Sequence, residues 1–353
     1  MMTARVQTVL GDVNPFVLGR TLTHEHLAMD FSHFYSNPPE QLADKFQSLP
    51  YTLDLIGYIK QYPYSSPYNL LMDDSDANTA VLEDLIAYKK FGGGTIVENT
   101  TEGIKRNVNF YKRLSQASGV HIVAGTGYYI ADTQTQKTLL QSSEDMYNHM
   151  LKELTEGCVD APGIKAGFMG EIGSIWPLRD FERKAIVAAG ELQPQVNCGV
   201  SFHPHRTPDA PFEIIRLYLE AGGSVDKVVM SHLDRTLLQD DKLLEFAELG
   251  TYCQFDLFGC EVSYYQLNVS TDMPSDAQRM DQVALLVNEG RDDKILLSHD
   301  IHTKHRLIRY GGHGYSHIIN NVLPKLNSIK GIPQEVIDKI TIDNPARWLE
   351  IKN

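Results

Sequence analysis

The sequence predicts a (β/α)8 barrel, one domain over residues 1–353 with an insertion after the first strand. Three observations predict it. Eight short β-branched or apolar segments recur along the chain, stretches with helical spacing lie between them, and the intervals suit βα units. Strands alternating with helices pair in parallel through crossovers, and eight such units favour closure over an open sheet.

The strand candidates are residues 21–27 (TLTHEHL), 94–100 (GTIVENT), 121–129 (HIVAGTGYY) and 167–173 (GFMGEIG). They continue with 200–204 (VSFHP), 227–234 (KVVMSHLD), 251–259 (TYCQFDLFG) and 294–300 (KILLSHD). From the second onward they begin 24 to 46 residues apart. Between the first two lies an insertion, residues 30–75, rich in Tyr, Pro and Ser. In a barrel an insertion there sits on the catalytic face, as a lid, a pocket wall or a loop packed by its own aromatics.

The helices follow from spacing. Val81, Leu85 and Tyr88 fall at i, i+4 and i+7, with Leu82 and Ile86 widening the stripe and Gly92 placed to end it. Similar patterns cover residues 108–117, 144–154, 181–192, 214–219, 237–249 and 283–287. A last helix is expected to begin at Pro333, a favoured first position, and to pass through Val336 and Ile340.

Composition removes several classes of function. With 32 Lys+Arg against 45 Asp+Glu the net charge is −13, which offers no footprint for a phosphate backbone, so no nucleic-acid partner is expected. No apolar run approaches the roughly 18 residues of a membrane span, and the start, MMTARVQT, has no long apolar stretch of a secretory signal. The four cysteines, Cys158, Cys198, Cys253 and Cys260, form no C-x-x-C pair, which predicts free thiols in the cytoplasm.

The chemistry concentrates at strand ends. In Thr23-His24-Glu25-His26, the two histidines sit at i and i+2 of a strand and share a face. His203 ends the fifth candidate strand, His232 lies near the end of the sixth, and Asp300 closes the eighth. A barrel delivers all these positions into one mouth. Imidazole and carboxylate suit a borderline divalent ion. Four histidines and an aspartate exceed the three ligands of a single catalytic zinc, so two ions are expected, Zn2+ or alternatively Co2+ or Mn2+, sharing a bridging carboxylate and hydroxide. Glu171, at the end of GFMGEIG, stands at the right height for the bridge. Its rival, Lys165, could bridge only if carbamylated, and lies roughly 20 Å further down the strand.

These motifs resemble the phosphotriesterase family of the amidohydrolase superfamily, over almost the whole chain. The stretches GRTLTHEHLAM (residues 19–29), GEIG (170–173), SHLDRT (231–236) and KHRLIRYGGHGYSHI (304–318) resemble most closely the animal phosphotriesterase-related branch. True phosphotriesterases and related lactonases bridge with a carboxylated lysine, whereas this branch has glutamate, as here. The resemblance implies that His24, His26 and Asp300 hold a buried ion, and that His203 and His232 hold a more exposed one. It further implies Glu171 between them and Asp300 as the catalytic acid–base.

Around that centre the expected substrate contacts are Tyr129 and Tyr128 after strand three, Arg235 after strand six and Glu98 after strand two. His302, Lys304, His305, Arg306 and Arg309 add a cationic cluster after strand eight, so a small anionic substrate is expected. His205, His299 and His121 are read as loop, helix-facing and far-end residues. The expected function is a dinuclear metal-dependent hydrolase. The resemblance points its specificity to N-acetyltaurine or a similar N-acetyl amino acid, with lactone or phosphotriester hydrolysis as the alternative. A non-catalytic metal-binding barrel is the rival of another class, and a homodimer is what the resemblance implies about assembly.

Overall fold

All eight expected barrel strands form. They are preceded by a short antiparallel hairpin, β1 (Val6–Thr8) and β2 (Gly11–Val13), that the segment pattern did not reveal. The structure, a computed structural model, describes residues 4–46 and 51–352, so residues 47–50 of the insertion lie outside it. The barrel strands are β3 (Arg20–Glu25), β4 (Gly93–Glu98), β5 (His121–Thr126) and β6 (Phe168–Gly173), then β7 (Gly199–His203), β8 (Val228–Met230), β9 (Tyr252–Phe255) and β10 (Ile295–Leu297). They run parallel in sequence order around one eight-stranded sheet. Typical registers are Thr95 opposite His121 and Val200 opposite Val228.

Side chains close the gap between β10 and β3. Ser298 donates to the His24 carbonyl at 2.8 Å and accepts from the His24 amide at 2.9 Å, and the Asp300 amide donates to the same carbonyl at 3.1 Å. Glu25, which faces away from the barrel axis between His24 and His26, accepts from Ser298 and from the His299 amide, both at 2.9 Å. The first and last strand ends are thereby fixed relative to each other, and both carry candidate ligands.

Alternation builds two cores. Val97, Val123, Phe168, Val229, Tyr252 and Leu296 point into the barrel's lower half, where Val6, Leu18 and Trp348 plug it. The hairpin therefore does for the barrel floor what no strand of the ring can do. Gly199 permits the plug, since a Cβ there would stand 2.5 Å from the Trp348 indole nitrogen. Truncating a buried side chain of that size to alanine costs roughly 3–5 kcal/mol. The second core lies between strands and outer helices, and holds Leu85, Tyr88, Tyr111, Ile186 and Phe246.

Most helices are longer than their apolar stripes, but the one expected over 237–249 is shorter, Asp240–Ala247. The first spans Ser75–Lys90, with Asp74 accepting from the amides of Asp76 and Ala77 as its cap. The stripe over 283–287 extends to Asp276–Asn288, opened by a Ser275/Gln278 capping box. The expected helix at Pro333 starts one residue later, as Gln334–Asp338, because Pro333 at ψ 151° is still extended and serves as the cap residue. The insertion folds as short turns and helices, Ser32–Phe34, Glu40–Phe46, Ile56–Gln61, Pro63–Ser65 and Pro67–Leu70, laid over the strands' C-terminal ends. Among the described residues, no helix is long and apolar enough to cross a membrane.

Candidate metal centre

The C-terminal ends of five strands bring six side chains together. Glu171 on β6 is the hub: its Oε2 lies 2.9 Å from His203 Nδ1, 3.4 Å from His24 Nε2 and 3.9 Å from His232 Nε2, and its Oε1 lies 3.5 Å from His26 Nε2. Asp300 Oδ1 completes the set at 3.1 Å from His26 Nε2 and 3.8 Å from His24 Nε2. His203 Nδ1 and His232 Nε2 are 2.8 Å apart. Three overlapping triads arise, His24–His26–Glu171, Glu171–His203–His232 and His24–His232–Asp256, each compact enough to hold one ion, and the first two share Glu171.

The backbone is bent to achieve this. His232 and Asp300 both sit in the left-handed region, at φ 57° and 53°, immediately after their strands. Such a conformation costs a non-glycine residue of order 1–3 kcal/mol and is concentrated at functional sites. Ahead of Glu171, Gly170 sits at φ 147°, and a Cβ there would come 2.8 Å from that of Ser201. Only glycine lets β6 pass β7 closely enough to present Glu171 to His203.

The outer ring nitrogens are engaged as well. His232 Nδ1 lies 2.7 Å from Asp256 Oδ1, His26 Nδ1 lies 2.9 Å from Thr100 Oγ1, and His24 Nδ1 lies 3.1 Å from Ser231 Oγ. Such partners fix the tautomer and direct the free nitrogen inward. His24 Nε2, buried and aimed at the cluster, has no hydrogen-bond partner at all. An unpartnered imidazole nitrogen facing two carboxylates is a place that a cation could take, so the donor set fits divalent ions.

Electrostatics points the same way. Burial disfavours a charged His24, but the carboxylates of Glu171 and Asp256 outweigh it and raise its pKa to about 10. Burial likewise opposes ionised Glu171, yet His24 and His203 hold its carboxyl well below the usual range. Burial pushes His203 down to about 3, leaving its imidazole neutral. The pocket is thus a nest of carboxylates that attracts positive charge. Lys165, the alternative bridge, lies half-buried before β6 begins, outside this cluster.

A small cavity opens over the cluster, bounded by Phe31 and Tyr64 from the insertion, by Tyr129, and by Arg206 and Arg235. Tyr129 stands over the centre with its hydroxyl 3.5 Å from His203 Nε2. Arg235 is buried beside the same nitrogen. The other two expected substrate contacts lie elsewhere. Tyr128 turns outward and packs on His149 and Phe181, because neighbours along an extended segment face opposite ways. Glu98 accepts from the Leu27 amide at 3.1 Å and the Thr100 hydroxyl at 2.6 Å, so it reaches His26 only through Thr100.

The cationic cluster after strand eight is also spent on structure. Lys304 pairs with Asp74, Arg309 pairs with Glu83, and Arg306 donates to the carbonyls of Asp300 and His299. His302 alone of that group faces the cavity, with Nε2 3.0 Å from the Tyr64 hydroxyl. His299 turns outward as expected, onto Glu25 at 2.7 Å. Sequence reasoning passed over Asp256 and Arg206. Asp256 closes β9 by the same strand-end logic that found Asp300, and Arg206 follows the His203 strand by three residues.

A parallel barrel whose strand ends converge on buried histidines and carboxylates fitted to divalent ions is the architecture of a metal-dependent hydrolase. The comparisons agree. The model of the Phosphotriesterase family matches residues 4–349, and the chain belongs to that family. It is 54% identical over 356 residues to the phosphotriesterase-related protein of Aedes aegypti, covering 99% of each chain. A resiniferatoxin-binding protein from Rhodobacter sphaeroides superposes with a TM-score of 0.92 at 27% identity, covering 98% of this chain and 94% of that one. A lactonase from Listeria monocytogenes shares the fold, at TM-score 0.78 and 21% identity over 99% of this chain and 100% of that one.

Proposed function

We infer that the protein is a dinuclear, zinc-type amidohydrolase acting on a small anionic N-acyl amine, of the N-acetyltaurine or N-acetyl amino acid kind. One observation carries the reading: Glu171 lies within 4 Å of both histidine pairs, the placement of a carboxylate shared by two ions. In this reading His24, His26 and Asp300 hold the inner ion and His203 and His232 the outer one. Bound there, two divalent ions supply Lewis acidity and lower the pKa of water towards neutrality.

The chain's own groups do the rest. Asp300, its carboxyl kept ionised, accepts the proton of the attacking water and returns it to the leaving nitrogen. Burial would raise its pKa, but His302 and His26 hold it well below the usual range. An amine leaves only when protonated, so an acid–base aspartate matters more for an amide than for an activated phenol. Phe31 and Tyr64 wall off water from above. Apart from Glu171 and Asp300, which the ions would engage, the cavity lining holds no acid among the described residues but holds Arg206 and Arg235, which supports an anionic substrate. Four free thiols support a cytoplasmic setting.

A panel of N-acetyltaurine, N-acetyl-β-alanine, a γ-lactone and a phosphotriester tests the reading. The N-acyl amines are expected to be cleaved fastest, and preference for the lactone or the phosphotriester would replace the substrate class. Asp300→Asn is expected to lower turnover by about 10²–10⁴-fold in a protein that still folds. Near-normal turnover would remove Asp300 from its role.

A further inference from the structure

Buried arginines in this fold are normally neutralised or fully hydrogen-bonded. Arg279 is paired with Asp234 at 2.9 Å and Asp276 at 3.1 Å. Arg106 is paired with Glu153 and Asp160, both at 2.6 Å. The two arginines on the cavity wall are exceptions. Neither Arg206 nor Arg235 has a carboxylate within ion-pair distance among the described residues.

Arg235 is only 3% exposed, yet its Nη1 has no hydrogen-bond partner. Its Nη2 reaches only His203 Nε2 and the Pro204 carbonyl, both at 3.4 Å, beyond the usual range for such bonds. Arg206 is half-buried and held from one side: Nε and Nη2 both donate to the Tyr265 hydroxyl, at 3.0 and 2.6 Å. A phenol that takes two donors fixes the guanidinium plane and leaves the rest of the fork unspent. Two like charges thus line one cavity without an ion-pair partner of their own, its only acids among the described residues, Glu171 and Asp300, being engaged with the histidine cluster. Leaving a buried charge uncompensated is costly unless a ligand supplies its partner.

We propose that Arg206 and Arg235 form an oxyanion clamp for the acid end of the substrate, with Tyr265 positioning Arg206. This rests on the amidohydrolase reading and deepens it. Arg206 lies in the loop after β7, whose last residue is His203, and Arg235 in the short helix Leu233–Thr236 that follows β8 and His232. The clamp therefore sits beside the outer pair of candidate ligands. A carboxylate, sulfonate or phosphonate held there leaves the acyl group of a short N-acyl amine over Glu171 and Asp300. Guanidinium forks suit such groups bidentately. The free volume in this conformation is about 20 Å³, so substrate entry requires the lining to part. The cavity's outer wall includes Leu257, Tyr265, Leu267 and Met273, all from one stretch after β9. The clamp's Arg206 is tied to that wall through Tyr265, so an anion drawn to the arginines also draws on the segment that covers it.

Matched substrates and a turnover-free binding assay test the clamp. The full-length metal-loaded protein is compared with Arg206→Gln, Arg235→Gln and Tyr265→Phe on N-acetyl-β-alanine and its neutral amide, N-acetyl-β-alaninamide. The wild type is expected to favour the acid by about 100-fold in kcat/KM. Either glutamine variant is expected to collapse that ratio at least tenfold, chiefly through KM, with Tyr265→Phe intermediate. Titration calorimetry with ethanesulfonate is expected to show binding to the wild type that weakens at least tenfold in Arg206→Gln. The half-buried Arg206 serves if Arg235→Gln fails to fold. Equal wild-type rates on acid and amide, or sulfonate affinity unchanged in Arg206→Gln, would overturn the clamp. Arginine-dependent sulfonate binding without hydrolysis of either amide would keep the clamp and overturn the amidohydrolase reading.

Discussion

Glu171 and Lys165 differ by six positions, and that difference places only Glu171 among the candidate ligands. Glu171 touches both histidine pairs, whereas Lys165 precedes the strand. Glu171→Gln removes the charge shared by four imidazoles and is expected to reduce bound metal to one ion or fewer per chain. Lys165→Met is expected to retain the wild-type content. Metal analysis of the two proteins checks this, and the opposite pattern would reassign the bridge. The ligand candidates were legible because each lies at or just beyond the C-terminal end of a strand, which parallel winding sends to one mouth. Tyr128 and Glu98 also lie at strand ends, but Tyr128 packs on Phe181 and Glu98 accepts from the Leu27 amide, both away from the cavity. For Arg206 no such rule exists. A loop side chain takes its direction from its partners, here Tyr265, and those lie 59 residues away in sequence.

Elements are joined into the barrel wall by buried polar links as well as by packing. Glu153, on the helix Ser143–Thr155, accepts from Arg106 after β4 and from Thr126 on β5, each at 2.6 Å. Burial would raise its carboxyl pKa, but the Arg106 guanidinium outweighs that and holds it at about 2, against 4.5 when unfolded. A depressed acid stabilises the fold above its unfolded value, and this contribution is lost as pH falls from 4.5 through about 2. It amounts to about 3 kcal/mol. Urea unfolding of wild type and Glu153→Gln is expected to show a wild-type advantage at pH 6 that shrinks by pH 3. A difference that stays constant with pH would contradict the pairing. Elements of this size were readable from periodicity, since helix and strand repeats need only a turn or two to declare themselves. The hairpin at Val6–Val13 was not, because it stands outside the alternation of strand and helix that marked even the three-residue β8 and β10, and its place is set by the open barrel floor it plugs.

At the scale of the molecule, parallel winding sends every strand's C-terminal end to one mouth, so candidate ligands scattered from the His24/His26 pair to Asp300 meet across the sequence. The insertion follows from the same geometry. Placed after β3, it lies on that mouth and contributes Phe31 and Tyr64 to the cavity wall, while residues such as Tyr68 pack against the loop after β10. The cationic loop after β10 shows the limit of reading charge from sequence, since Lys304 and Arg309 found partners on the helix of Ser75–Lys90 and its cap. Central to the proposed function is that this mouth would hold two ions and not one. Metal content of the purified chain, reconstituted with zinc and freed of excess, measures that most directly. Two zinc ions per polypeptide are expected, and a saturating value of one, or none, would contradict the account.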